Sequence, residues 1–493
     1  MPRSDSTAIV AAMVTTSSVL PAGTHYAVMW GIPEKYAGMT SAMLHRSRAF
    51  VRLAHTPVTI VTYEFRDDYD AVRQQLFDRG DMVDGMSLIN LWEDLRTWDD
   101  EKLRTLADSC TETPPTSFVA PEPPAEPTLR EQSLDDGQIR RVDYYREDGT
   151  LLVADRRDVD DGVSTRSVTV CDTAGRPLGA WRSVWGLYWA WLDSLPRDPV
   201  AWFIVDSKTS ANHVVQYRRP DAVTLHLVHG SHLAVGEGPF GQLNEGRRQS
   251  IEAHDSWDAL VFLTQQQLDE VTERYGPGQN RYVSPNGRDL PTDPPPMDRD
   301  LRNGIVVASL TKRKRISHAI RGAASASRDR RYGRFLPRPV VLDVVGDGAS
   351  RRGLEKMADE QKRHVTVNFH GYVDDVPDRL RRASFSLLTS KSEGQPLAII
   401  ESMAAGCIPV SYDIRYGPAD VITHGVDGFL VRESDIAGLG AVIRRLTTMK
   451  PDEITAMRQA ALHRARDFDD EVITGRWGDI MRSAWEHKTS STP

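Results

Sequence analysis

Only three cysteines, Cys110, Cys171 and Cys407, occur in 493 residues. They lack the spacing of metal ligands and are too few for a disulfide framework, so a reducing compartment is expected. Positive charge is also short. Lys and Arg number 61 against 69 Asp and Glu, a formal net charge of −8. Such a chain has no basic footprint for nucleic acid, and none is expected as a partner. Long apolar runs are missing too: no stretch approaches the roughly 20 residues that span a bilayer. The one early apolar run, Ala8 to Met13, is shorter than a signal-peptide core and has only Arg3 near it. A cytoplasmic protein is therefore expected.

What is present is ordinary globular material, 40% hydrophobic and 26% charged, in a chain long enough for two or three domains. Two proline-rich stretches, 113–127 and 289–298, read as extended linkers. After the second, apolar runs at Ile305–Leu310, Val340–Val345, Val365–Phe369, Phe385–Leu388, Ile408–Ser411 and Phe429–Val431 alternate with helix-compatible segments. That alternation predicts a parallel, Rossmann-like sheet. Before it, Ile9–Val14, Val58–Thr62, Trp202–Val205, Thr224–Val228, Asp258–Leu263 and Arg281–Ser284 read as further strands, with a helix over about Thr40–Leu53. From about Gln138 to Trp185 the pattern changes to hairpins, with Asp148-Gly149 between extended arms. The expected order is an N-terminal domain at 1–104 and 196–288, interrupted by a proline-rich linker and antiparallel β insertion at 105–195. A linker at 289–300, a second Rossmann-like domain at 301–467 and a closing helix and tail at 468–493 follow.

The densest signal is Ser392-Glu393-Gly394-Gln395-Pro396-Leu397-Ala398-Ile399-Ile400-Glu401. Phe385–Leu388 reads as a buried strand, Pro396 suits the first turn of a helix and Gly406 its end. Glu393 then lies at the helix mouth and Glu401 about two turns inside. Amides that open a helix favour anions, and a carboxylate beside them accepts hydrogen bonds from hydroxyls. Phosphate plus polyol points to a sugar nucleotide.

Glu393 and Glu401, followed by Ser402-Met403-Ala404-Ala405-Gly406 and Pro409-Val410, resemble the retaining glycosyltransferases of GT-B fold, family 4. The resemblance implies two Rossmann-like domains facing a cleft, with an antiparallel β insertion in the first. It assigns Glu393 to the donor sugar hydroxyls, Glu401 to the ribose, and Gly394, Gln395, Pro396 and Leu397 to the phosphate and sugar. Tyr36-Ala37-Gly38-Met39-Thr40 and Asp413-Ile414-Arg415-Tyr416-Gly417-Pro418 resemble elements of one bacterial subgroup. It holds wall teichoic acid α-glycosyltransferases and the accessory-secretion transferase that modifies Ser-rich proteins. By the same resemblance, Gly38 brings backbone amides near phosphate, although Ala37 replaces the first glycine of the usual pair. His229, after a strand, contacts the donor sugar, while His226 within the strand is structural. Gly346-Asp347-Gly348 borders the nucleotide, and the backbone after His370-Gly371 meets the base.

One departure matters. The family pairs an Arg with a Lys five residues on; here Lys314 matches the Lys, but Ser309 stands in the Arg position. A hydroxyl cannot replace a forked guanidinium on phosphate. Lys312, Arg313 or Arg315 is expected to compensate. No metal is expected: His226, His229 and His232 lack an evident carboxylate or cysteine partner, and Asp298-Arg299-Asp300 lies in the linker. The expectation is a hexosyltransferase moving glucose or N-acetylglucosamine from a UDP-sugar to a hydroxyl of a cell-wall polymer, teichoic-acid-like, or of a protein. No cofactor beyond the donor is needed. Peripheral association with the inner membrane face and self-association through the β insertion are compatible with it. The competing expectations are a non-catalytic GT-B-like partner that binds acceptor, which Ser309 and Ala37 favour, and a sugar-nucleotide epimerase.

Overall fold

The computed structural model describes residues 18–36, 38–110, 129–135, 137–157, 166–328 and 339–490. The chain divides into two compact units. The first holds residues up to 226 together with 256–258, and the second holds 227–255 and everything from 259 on.

In the first unit, β1 (Thr24–Val28), β2 (Val58–Thr62), β3 (Met86–Asn90), β9 (Ala201–Val205) and β10 (Ala222–Val228) lie in the order β10-β9-β1-β2-β3. All four pairings are parallel. Every residue of β9, Ala-Trp-Phe-Ile-Val, is buried, the unbroken apolar run of a strand covered on both faces. Helix α1 (Met39–Ala54) follows β1. The expected strand at Ile9–Val14, Ala37 and the whole of the first proline-rich stretch lie outside the described residues.

Five antiparallel strands form the insertion: β4 (Arg130–Asp135), β5 (Gln138–Tyr145), β6 (Leu151–Arg156), β7 (Ser167–Cys171) and β8 (Pro177–Trp181), paired in chain order. Gly149 and Gly175 take positive φ of 81° and 76° at two hairpin turns, a conformation that costs glycine nothing. Tyr144 anchors the sheet by stacking on Trp92, ring centroids 3.8 Å apart.

In the second unit, β11 (Ala259–Phe262) and β12 (Arg281–Val283) pair in parallel, with α2 (Gln265–Tyr275) between them. The larger sheet is wholly parallel, in the order β15-β14-β13-β16-β17-β18. Its strands are β13 (Asn303–Val307), β14 (Val340–Val345), β15 (Val365–Gly371), β16 (Phe385–Leu388), β17 (Ile408–Asp413) and β18 (Phe429–Arg432). Helices α3 (Ile316–Arg328) and α4 (Leu397–Ala404) pack their apolar sides into its core through Ile320, Ile399, Ile400 and Met403. β13 ends earlier than the run Ile305–Leu310 suggests. Leu310 leaves the ladder and binds the next loop, donating to the Asp347 carbonyl at 2.9 Å and accepting from Ser350 N. The closing helix, α5 (Asp470–Ser490), takes up nearly all of the segment expected to hold a helix and a tail.

The linker is pinned from within. Arg299 is buried and donates to the carbonyls of Pro296, Ala383 and Ala405 at 2.8, 2.6 and 2.6 Å. Its neighbours Asp298 and Asp300 are exposed.

Candidate functional site

Three neighbouring strands send their C-terminal loops to one place. β13 leads into the loop that carries Lys314, β16 into the loop that carries Glu393, and β17 into Arg415 and Tyr416. The ends of parallel strands are where open α/β sheets bind ligands.

Backbone and hydroxyl bonds fix these loops to one another. Lys391 N donates to the Arg313 carbonyl at 2.9 Å. The Thr389 hydroxyl reaches the carbonyls of Lys314 and Arg315 at 3.1 and 3.0 Å. On the other side, Glu393 N donates to the Arg415 carbonyl at 3.3 Å, and Tyr416 N donates back to the Glu393 carbonyl at 3.0 Å.

The side chains then converge on Glu393. Lys314 Nζ lies 2.6 Å from Oε1, and Arg313 Nη1 lies 3.1 Å from Oε2. Arg313 also donates to the Ser392 carbonyl at 2.7 Å. The Glu393 side chain is only 10% exposed. Burial by itself would raise its pKa, but Lys314 in charge and hydrogen bond, the Ser390 hydroxyl and Arg313 outweigh it. The carboxyl stays below its ordinary range, charged at neutral pH.

Gly394 allows a close approach. A Cβ there would stand 2.2 Å from the His229 carbonyl oxygen and 3.2 Å from Gly230 Cα. The turn after β10 therefore presses against the Glu393 loop, which places His229 beside it. Helix α4 starts immediately after, with Pro396 as its cap residue and Leu397 as its first residue. Gln395 is buried, and its Oε1 accepts from Asn286 N at 2.6 Å.

Residues 299–464 match the family model described as glycosyl transferases group 1. The chain is 22% identical over 491 residues to the poly(glycerol-phosphate) alpha-glucosyltransferase of Bacillus subtilis (strain 168), covering 88% of this chain and 71% of that protein. An S. aureus TarM mutant, solved with Fondaparinux, alpha-GlcNAc-glycerol and UDP, superposes with a TM-score of 0.65 at 17% identity. The match covers 93% of this chain and 100% of that one. The pneumococcal O-GlcNAc transferase GtfA, solved with UDP and GlcNAc, gives 0.62 at 17% identity, covering 94% and 99%. The chain is a glycosyltransferase of the GT-B fold.

Eight residues beyond Glu393, the glycosyltransferase carries Glu401 on α4, where Oε1 accepts from Arg288 Nε at 2.9 Å. Arg288 is itself held by the backbone, donating from N to the Phe468 carbonyl and accepting from Asp470 N. Of the four cations at 312–315, the structure turns one elsewhere. Arg315 pairs with Glu433 at 2.9 Å and with the Ser434 hydroxyl at 3.0 Å. Lys312 and Ser309 are exposed. Arg313 is thus the guanidinium that reaches the Glu393 loop.

Gly38 belongs to the first unit. It caps α1 at φ 60°, its carbonyl accepts from Ala42 N at 2.9 Å, and among the described residues nothing beyond its chain neighbours lies within 4 Å of where a Cβ would stand. His226 is buried and bonds the Val205 carbonyl at 2.8 Å. His232 is also buried, with its pKa lowered to about 4 chiefly by desolvation, so it is a neutral core histidine. Among the described residues no group of three or more His, Cys, Asp or Glu is placed to hold a metal ion. Gly346 N donates to the Gly371 carbonyl at 2.7 Å, which joins the two loops expected around the nucleotide.

Sequence reasoning missed Arg288, Asn286, Ser390 and Glu270. Pro285-Asn286-Gly287 signals a turn. Nothing local announces Arg288 or Glu270, whose partners lie far along the chain, or Ser390, whose hydroxyl acts on Glu393 three residues on.

Proposed function

We propose that this enzyme is a retaining transferase that moves glucose or N-acetylglucosamine from a UDP-sugar to a hydroxyl of a teichoic-acid-like polymer or a protein. The observation that carries it is the charged, nearly buried Glu393 held by Lys314 and Arg313 at the mouth of α4, with Glu401 about one turn inside that helix rather than the two the sequence suggested. The relatives support the substrate class: one is named for poly(glycerol-phosphate), another was solved with UDP and GlcNAc.

In this reading Lys314 and Arg313 receive the charge of the diphosphate, and Arg313 supplies the guanidinium that Ser309 does not. Glu393 orients the sugar hydroxyls. Glu401, steadied by Arg288, takes the ribose. The acceptor oxygen attacks the anomeric carbon on the face that UDP vacates, and the bond to the diphosphate oxygen breaks with its electron pair. The acceptor proton passes to a phosphate oxygen, so no covalent enzyme intermediate forms. Stabilising the departing diphosphate with fixed cations is the main electrostatic contribution. The reading assigns that work to side chains rather than to a metal ion.

Self-association through β4–β8 and contact with the inner membrane face belong to the same proposal. Sedimentation and flotation with anionic vesicles test them. The central test is UDP release from UDP-glucose and UDP-N-acetylglucosamine with poly(glycerol phosphate) present or absent. Release that depends on the polymer supports transfer; equal release without it identifies hydrolysis instead.

A further inference from the structure

Glu270 lies outside the sheet-end loops, on α2, and is 7% exposed. Both of its carboxylate oxygens are used, and both by the segment after β17. Oε1 accepts from Arg415 Nε at 2.7 Å, and Oε2 accepts from the Tyr416 hydroxyl at 2.6 Å. Gln266 Nε2 adds a longer contact to Oε1 at 3.4 Å.

Arg415 and Tyr416 are the two residues whose backbones clasp Glu393, one accepting from its N–H and the other donating to its carbonyl. The Tyr416 ring is fully buried and stacks on His232 at 5.9 Å with planes 16° apart. The clasp continues into Gly417, φ 107°, where a Cβ would stand 2.4 Å from Pro396 Cδ. α2 is tied to the same segment a second time: Asp420 Oδ1 accepts from Gln265 N and Gln266 N at 2.7 and 3.2 Å.

We propose that Glu270 is a positioning residue: by holding Arg415 and Tyr416 it sets the backbone of Glu393, and through it the carboxylate that orients the donor sugar. The inference rests on the transfer reading above for the role of Glu393. Its geometry does not, since it concerns only which groups fix that loop. A buried carboxylate with both oxygens committed to one segment transmits any displacement directly, because each bond is charge-assisted and the one from Tyr416 is buried. Catalytic geometry tolerates little loosening of this kind; a misplacement of about 1 Å can cost about a hundredfold in rate.

The test compares the full-length protein with Glu270→Gln, Glu270→Asp and Tyr416→Phe. Glu270→Gln keeps the shape and one acceptor oxygen, and Tyr416→Phe removes one hydroxyl while leaving the ring on His232. UDP affinity is read by calorimetry, and kcat and donor KM by UDP release from UDP-glucose and UDP-N-acetylglucosamine with poly(glycerol phosphate). Positioning predicts that Glu270→Gln and Tyr416→Phe each lower kcat at least tenfold while the UDP dissociation constant stays within threefold. The double variant should lose much less than the product of the two losses, because both act through one clasp. Wild-type kcat in both variants overturns the proposal. So does a matched loss of kcat and UDP binding, which marks Glu270 as mere scaffolding. If Glu270→Gln and Glu270→Asp fail to fold, Tyr416→Phe decides alone by the same split. If the wild type binds UDP but turns over neither donor, the transfer reading fails instead. The ratio of UDP-sugar to UDP affinity then tests positioning: a ratio that Tyr416→Phe leaves unchanged overturns it.

Discussion

Lys314 Nζ sits 2.6 Å from Glu393 Oε1, although 79 residues separate the two in the chain. The parallel pairing of β13 with β16 is what makes this possible, because it sends both loops off the same sheet edge. Replacing Lys314 by Ala should therefore do two things. Transfer should fall about 10²–10³-fold, the usual loss when one preorganised donor to a developing negative charge is removed. UDP affinity should fall as well, which calorimetry reads separately.

The same pair gives a pH prediction. The folded pKa of Glu393 is lowered, with burial opposing and Lys314, Ser390 and Arg313 outweighing it. A depressed carboxyl contributes stability that is present above its unfolded pKa and lost as pH falls through the folded value. The stability difference between the wild type and Glu393→Gln should thus be flat above about pH 6 and shrink only in the acid range. Chemical denaturation across pH 3–8 measures it. In Lys314→Met the shrinkage should be smaller, because the cation that does most to hold the folded pKa down is gone.

Arg313 and Arg315 should differ sharply. Arg313 reaches Glu393, whereas Arg315 is engaged by Glu433 and Ser434. Arg313→Gln should weaken UDP binding about threefold to tenfold, a modest effect for a guanidinium that is half exposed. Arg315→Gln should leave UDP binding near the wild-type value and lower thermal stability instead.

How much of this was legible beforehand varies from residue to residue. The parallel strands of both units were readable where whole runs are apolar, as in Ala201–Val205, and the hairpins where Asp148-Gly149 breaks an extended arm. β1 and β3 were not, because Thr24-His25 and Met86-Ser87 dilute their short apolar patterns. Glu393 and Glu401 stood out by their place beside a strand-to-helix junction, and Lys314 only through the family resemblance. Arg288 and Glu270 did not: their bonds reach across 113 and about 145 residues, and no local pattern encodes a partner that only the sheet order brings near. The choice among Lys312, Arg313 and Arg315 likewise needed side-chain directions that a basic run cannot supply.

Gly394→Ala is a steric test of the Glu393 loop. The new methyl would meet the His229 carbonyl at 2.2 Å, and backbone cannot yield as a flexible side chain can. Overpacking of this kind costs about 1–3 kcal/mol. The variant should melt lower and lose transfer by more than its instability explains, a combination that scanning calorimetry and UDP release together reveal.

Glu401→Ala and Arg288→Ala should act on the nucleotide rather than on the sugar. Each should raise the UDP dissociation constant, and the double variant should be little worse than Glu401→Ala alone, because Arg288 acts through Glu401 Oε1. Equal and additive losses would separate the two roles.

The most direct test of retaining transfer is the anomeric configuration of the product. UDP-glucose or UDP-N-acetylglucosamine labelled at the anomeric carbon is incubated with poly(glycerol phosphate), and the polymer is examined by NMR, with Glu393→Ala alongside. The account predicts an α-linked sugar on the polymer, UDP released in step with it, and both abolished in the variant. A β-linked product, or full turnover by Glu393→Ala, would contradict it.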